Sequence, residues 1–303
     1  MQPIKIDLND YVRTGEGANG ASYNHKSDPN IMLKLYFRNF EAAEQELVLA
    51  RKVYEMGIPT PEPGDLVTDG KQVGIRFRRL MDKKSFSRAC GDNPERTDVY
   101  AREFAQMCIK LHNTHVDTSR FENVKDRLYA MLEANPDFTP VQKQKIHDYI
   151  AAAPDADTAI HGDLQFGNGI FVPSGEKYFI DLGDFCYGFP LFDLGMVYLC
   201  CCLNNEEWTM EVNHMSNATA RRFWDAFAEA YFHSPDCPLI GYDPSSIVHR
   251  PSSVKEPLFG PGADLEQVEQ VVKIYAGLKT LIVERDTHCP MPQFRAMLEG
   301  TVY

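Results

Sequence analysis

His161-Gly162-Asp163-Leu164-Gln165-Phe166-Gly167-Asn168, followed after a short gap by Ile180-Asp181-Leu182-Gly183, is the stretch on which the reading of this chain turns. Between the two segments lie Gly169-Ile170-Phe171-Val172 and Lys177-Tyr178-Phe179-Ile180, short apolar runs joined by the turn composition Pro173-Ser174-Gly175-Glu176. They predict a β-hairpin. Asn168 enters its first strand and Asp181 leaves its second, so two oxygen-bearing side chains are expected side by side at the hairpin mouth. Such a pair suits Mg²⁺, which takes a few carboxylate or amide oxygens and completes its octahedron with water and phosphate. Asp163, five residues upstream, is then placed to act on a metal-bound group as base or orienter.

This division of labour is the one kinases use, with one Asp for the nucleophilic hydroxyl and an Asn and a second Asp for the metals. The segment resembles the aminoglycoside phosphotransferase and choline kinase family, small-molecule kinases on a protein-kinase-like fold. Gly162 and Gly167-Asn168 match that family's loop, which has Gly after the His where protein kinases carry Arg. The resemblance implies an α+β, two-lobed, protein-kinase-like fold, with a small antiparallel sheet lobe and a larger, mainly helical lobe. It implies ATP and Mg²⁺ as cofactors and transfer of phosphate to a hydroxyl of a small molecule such as an aminoglycoside, an amino alcohol like choline, or a homoserine- or sugar-like acceptor. Asp163 would be catalytic, Asn168 and Asp181 would hold the metal, and His161 and Asp193 would support the loop.

Upstream, Thr14-Gly15-Glu16-Gly17-Ala18-Asn19-Gly20 is a Gly-x-Gly-x-x-Gly. A dinucleotide-binding fold needs a strand before it and a helix after it. Here the flanks predict strand, turn, strand, the kinase version, in which Gly15, Gly17 and Gly20 form a hairpin over the phosphates. Ser22 departs from the apolar residue that protein kinases place over the adenine. Lys34 lies within the apolar run Ile31 to Tyr36, where a lysine needs a solvent face or an anionic partner. The following helix, Phe40 to Met56, sets Ala43, Glu46, Ala50 and Val53 on one stripe. The kinase resemblance implies that Lys34 pairs with Glu46 and holds the α- and β-phosphates; Glu44 is the alternative partner.

Gly57 to Pro63 ends that helix. Strand-like runs Asp65 to Thr68 and Gln72 to Arg79 follow, and Arg79-Leu80-Met81 is the crossing whose backbone, from Arg79 to Met81, would meet an adenine edge. The polar stretch Asp82 to Asn93 sets a boundary, giving a nucleotide-binding lobe over 1–81 and a helical lobe with catalytic loop and substrate site over 82–303. Helices are expected at Pro94 to His115, Phe121 to Ala134, Thr139 to Ala153, up to Leu203, and at Glu206 to Met215, Asn217 to Phe232, Asp264 to Glu284 and Met291 to Gly300. His112 and His115 read as core and surface histidines, since no carboxylate or Cys completes a metal set. Asp193, twelve positions after Asp181, reads as the loop's brace or as the N-cap of a helix starting near Leu194. Trp208, Phe223, Trp224 and Tyr231 read as core rather than as a cage for a quaternary ammonium.

The formal charge is −12 over 303 residues. Residues 1–82 hold 11 Lys+Arg against 12 Asp+Glu, and residues 83–303 hold 20 against 31. That acidic balance argues against nucleic acid and anionic membrane as partners. It is compatible with a cationic small-molecule substrate, and equally with charge that only keeps the protein in solution. The eight cysteines, three of them consecutive at Cys200-Cys201-Cys202, suit neither a disulfide framework nor a zinc site. With no long apolar run and no secretory signal, a cytoplasmic protein is expected. A protein kinase is disfavoured by Gly162, by Gln165 where a lysine would be expected, and by the short segment from Asp181 to Asp193. A nucleotide-binding pseudokinase acting as a regulatory module is the alternative, against which the intact set of Lys34, Asp163, Asn168 and Asp181 speaks.

Overall fold

The computed structural model describes residues 2–16, 20–37, 40–243 and 258–282. They form an α+β fold that divides into two compact units, residues 1–84 with Asn168–Asp184, and residues 85–167 with 185–303. The first unit is built on a six-stranded sheet in the order β1-β5-β6-β4-β3-β2. Its strands are β1 (Ile4–Lys5), β2 (Tyr11–Glu16), β3 (Gly20–His25), β4 (Ile31–Tyr36), β5 (Pro63–Thr68) and β6 (Val73–Arg78). All neighbours pair antiparallel except β1, which adds parallel to β5 and was not foreseen in the sequence.

Period-two alternation along β4 divides its side chains between two environments. Leu33 and Leu35 bury with Ile6, Tyr11 and Val67. Lys34 and Tyr36 point the other way and bond to helix α1 (Phe40–Glu55), whose Ala43, Leu47, Ala50 and Val53 are fully buried. Gly20 sits where an added Cβ would come within 2.2 Å of the Leu35 carbonyl oxygen, so β3 and β4 approach only because that position has no side chain. The hairpin β9 (Gly169–Phe171) and β10 (Lys177–Phe179) belongs to this unit, and Phe179 N–H donates to the Pro59 carbonyl.

The short β7 (Lys84–Ser85) leads into the second unit. Inside the stretch Asp82 to Asn93, read above only as polar, lies a helix, α2 (Phe86–Asp92), with Phe86, Ala89 and Cys90 buried. Then come α3 (Thr97–His112), α4 (Val124–Ala134), α5 (Pro140–Ala152), β8 (Ala159–Ile160), β11 (Cys186–Tyr187), α6 (Leu191–Cys202), the one-turn α7 (Glu206–Trp208), α8 (Asn217–Phe232) and α9 (Leu265–Ile282). After α7 the expected helix winds as a π-helix over Thr209–Asn213 and ends on His214 in the left-handed region. Gly195 of α6 abuts α9, where a Cβ would meet the Ala276 nitrogen at 2.7 Å. Phe223, Trp224, Tyr231 and Phe232 of α8 are fully buried core residues, which removes them as a solvent-facing cage. Gly17 and the expected helix Met291 to Gly300 lie outside the described residues. Among the described residues, no helix is long and apolar enough to cross a membrane, and seven cysteines are free thiols.

Candidate active site

In the first unit the site begins with Lys34. Its Nζ lies 2.9 and 2.8 Å from the two carboxylate oxygens of Glu46 and 2.6 Å from Asp181 Oδ1. Glu46, 5% exposed, also accepts a short hydrogen bond from the Tyr36 hydroxyl. Lys34 further lies 5.0 Å from the centre of the Tyr36 ring. Burial alone would lower the Lys34 pKa, but the charges of Asp181 and Glu46 outweigh it and hold the ammonium above its ordinary value. Burial pushes the Glu46 carboxyl up, against the pull of Lys34. Desolvation likewise raises the Tyr36 phenol, so its hydroxyl stays a donor. Glu46, not Glu44, is thus the partner of Lys34.

Asn168 and Asp181 flank the open end of the β9/β10 hairpin, where the Asn168 carbonyl accepts the Ile180 N–H at 3.0 Å. Asn168 is buried; Asp181 is 46% exposed at its side chain. Asp181 has φ 64°, a left-handed conformation that non-glycine residues seldom hold except Asn and Asp, and that costs energy the surroundings must supply. One amide oxygen and one accessible carboxylate are hard donors that fit Mg²⁺. Among the described residues no cluster of three or more His, Cys, Asp or Glu could cage a metal, so the remaining ligands would come from phosphate and water.

Gly15 lies in β2 beside a bulge between Arg13 and Gly15, and Gly20 opens β3. Arg79 N–H donates to the Asn30 carbonyl at 2.7 Å, so that N–H is already committed within the protein. Met81 is exposed in the turn that follows.

In the second unit β8 leads into the loop from His161 to Gly167 and is held antiparallel to β11 with Ile160 opposite Cys186. Leu164 and Phe166 are fully buried while Asp163 and Gln165, which alternate with them, are half-buried, so the apolar positions anchor the loop and the polar ones face outward. Phe166 packs on Phe223 with ring centres 4.9 Å apart, and its carbonyl accepts the Ser87 N–H. Asp163 Oδ2 accepts from the Gln165 amide at 3.2 Å, and the Asp163 N–H lies 3.3 Å from His161 Nδ1.

The loop's other end is fixed by Asp193. This carboxylate, 1% exposed, accepts the N–H groups of His161 at 2.7 Å and Gly162 at 2.9 Å, and lies 3.1 Å from His112 Nε2. His112 Nδ1 meets the Tyr231 hydroxyl at 2.7 Å. Burial opposes ionisation of Asp193, but bonds from His112 and the His161 backbone hold its pKa below the ordinary carboxylate value. Asp193 is not a helix cap: α6 begins at Leu191 with Pro190 in the cap position. His112, Tyr231, Tyr36 and the Gln165 contact were not anticipated. The only sequence signal was a histidine on the buried face of a helix, and its partners lie 81 and 119 positions away.

The sequence profile of the phosphotransferase enzyme family (APH) matches residues 15–243. A thermostable variant of aminoglycoside phosphotransferase APH(4)-Ia, in ternary complex with ADP and hygromycin B, is similar in structure with a TM-score of 0.56 and 12% identity, over 96% of this chain and 91% of its own. ADP-bound aminoglycoside phosphotransferase APH(2'')-Ib gives a TM-score of 0.51 and 16% identity over 97% and 93%. The gentamicin complex of APH(2'')-IIa gives 0.51 and 16% over 97% and 92%. No curated protein sequence matches significantly. The fold is that of the protein-kinase-like phosphotransferases, and the chain belongs to the phosphotransferase enzyme family.

Proposed function

We propose that the protein is an ATP-dependent kinase that phosphorylates a hydroxyl of a small molecule, an aminoglycoside, an amino alcohol such as choline, or a homoserine- or sugar-like acceptor. The observation that carries this reading is Lys34 held between Glu46 and Asp181 in the same unit as Asn168. Residues 1–81 serve as the nucleotide lobe and residues 82–303 carry the catalytic loop and the acceptor site. Lys34, oriented by Glu46, pairs with phosphate oxygens; Gly15, Gly17 and Gly20 cover them; the backbone from Arg79 to Met81 receives the adenine edge. Asn168 and Asp181 would hold Mg²⁺, which when bound neutralises phosphate charge. Asp163 orients the acceptor hydroxyl and takes its proton, on a loop that His161 and Asp193 keep in place. Such chemistry relies on positioning and charge, which these few groups provide.

Solved neighbours of the fold carry ADP, hygromycin B or gentamicin, which supports a nucleotide and a small acceptor here. The acidic balance of residues 83–303 favours a cationic acceptor by raising the local concentration of cations. Free thiols agree with a cytoplasmic setting. A screen of ATP consumption with Mg²⁺ against aminoglycosides, amino alcohols, homoserine, thioribose and neutral sugars tests the reading. Acceptor-dependent turnover is expected; nucleotide binding with no turnover on any acceptor would favour a regulatory module instead.

A further inference from the structure

Gly162, the residue before Asp163, is gripped from two sides. Its N–H donates to Asp193 Oδ1 from α6 at 2.9 Å, and its carbonyl accepts Lys279 Nζ from α9 at 2.7 Å. With φ 85°, Gly162 adopts a left-handed conformation that a side chain would resist. Opposite full charges therefore hold the two polar groups of one glycine in a turn that is otherwise free to relax.

Lys279 is an unusual choice for this contact. It is half-buried, and among the described residues no carboxylate pairs with it. A lysine that only braced a carbonyl would carry the cost of removing a charge from water for one neutral hydrogen bond, which a neutral donor could supply more cheaply. Its one hydrogen bond among the described residues goes to the carbonyl of Gly162, the residue before Asp163. Within the loop the Gln165 amide, a neutral donor, reaches Asp163 from the position where protein kinases carry a lysine.

We propose that Lys279 is a positioning residue for phosphoryl transfer, fixing the Gly162 carbonyl and supplying from α9 the positive charge that the catalytic loop lacks. A charge held rigidly in a partly buried site favours negative charge gathering at neighbouring oxygens, and it needs no reorganisation when that charge appears. α9 can hold the ammonium in register because Gly195 lets α6 and α9 pack backbone to backbone one turn away. The inference rests on the reading of Asp163 as the residue that handles the acceptor hydroxyl.

The test uses the full chain, Mg·ATP and the best acceptor from the screen. Parent turnover must be seen first; its absence would sink the kinase reading and not this one. Lys279→Met is expected to lower kcat about tenfold or more while KM for ATP stays within about threefold, and Lys279→Arg to restore kcat to within about threefold of the parent. Hydrogen exchange of the peptide spanning residues 161–167 should quicken in Lys279→Met but not in Lys279→Arg. A Lys279→Met enzyme with kcat within twofold of the parent overturns the proposal. So does equal loss of kcat in both variants. If Lys279→Met does not fold, Lys279→Arg decides alone: near-parental kcat supports the role, and a tenfold loss in a folded protein rejects it.

Discussion

Replacing Asp193 by Asn changes one atom and should cost more than any other substitution so conservative. The carboxylate is 1% exposed and serves the N–H groups of His161 and Gly162 together with His112 Nε2. An amide has one oxygen, so its NH₂ must face at least one of those donors and leave it buried and unpaired, at about 1–3 kcal/mol. The bonds that survive lose their charge assistance, roughly another 1–2 kcal/mol in total. The sum, about 2–5 kcal/mol, reaches what breaking a buried charged pair usually costs. Against a total stability on the order of 5–15 kcal/mol, it should lower the melting temperature by roughly 4–15 °C. Calorimetry on the parent and Asp193→Asn measures it directly. Tyr231→Phe, which removes only the outer hydroxyl of the network, should cost about 1 kcal/mol and serves as control. An Asp193→Asn protein melting within 2 °C of the parent would refute the idea that this carboxylate braces the loop.

Lys34→Met should weaken ATP binding by about tenfold, roughly 1.4 kcal/mol, and Glu46→Gln by less, because the lysine would keep Asp181 as an anchor; isothermal calorimetry that ranks them the other way argues against Lys34 as the phosphate contact. Asp181→Ala removes a charged metal ligand and Asn168→Ala a neutral one, so the first should erase more of the Mg²⁺ dependence of ATP affinity. An ATP affinity in the parent that ignores Mg²⁺ would count against both assignments. Glu269 on α9 accepts from Arg221, Lys273, Tyr198 and Trp224; burial opposes its ionisation, but these donors bring it down to about 2 from an ordinary 4.5. A depressed folded-state pKa gives stability that is full above about pH 4.5 and lost as the pH falls toward about 2. Urea midpoints should therefore fall more steeply across that window in the parent than in Glu269→Gln, and parallel slopes would show that this clamp of α6, α8 and α9 contributes little.

The parts of the site that could be read in the sequence are those whose partners are close in the chain or announced by period. Asn168 and Asp181 flank a hairpin of ordinary turn composition, and a lysine inside an apolar strand followed by a helix with Glu46 on its inner stripe needs few steps to pair. The bracing of the catalytic loop could not be read that way. Asp193 finds His112 from α3, and Gly162 finds Lys279 from α9, across 81 and 117 positions, and only the packing of helices on one another decides such meetings. Helix α2 was hidden because Phe86, Ala89 and Cys90 give it one narrow apolar face among polar residues. The strand β1 was too short for alternation to declare it, and the π-helix after α7 has no periodic signature over five residues. Tyr36 falls between the two cases. Period two puts it on the same side as Lys34, but its bond to Glu46 follows only from where α1 lies.

The account stands most directly on Asp163, and turnover set against nucleotide affinity in Asp163→Ala is the measurement that tests it. Since this residue is assigned to the acceptor hydroxyl and not to the nucleotide, the variant should bind Mg·ATP within a few-fold of the parent and lose turnover by a factor on the order of 10² or more. An Asp163→Ala enzyme that still transfers phosphate at close to the parental rate would contradict the assignment and, with it, the catalytic reading of the loop.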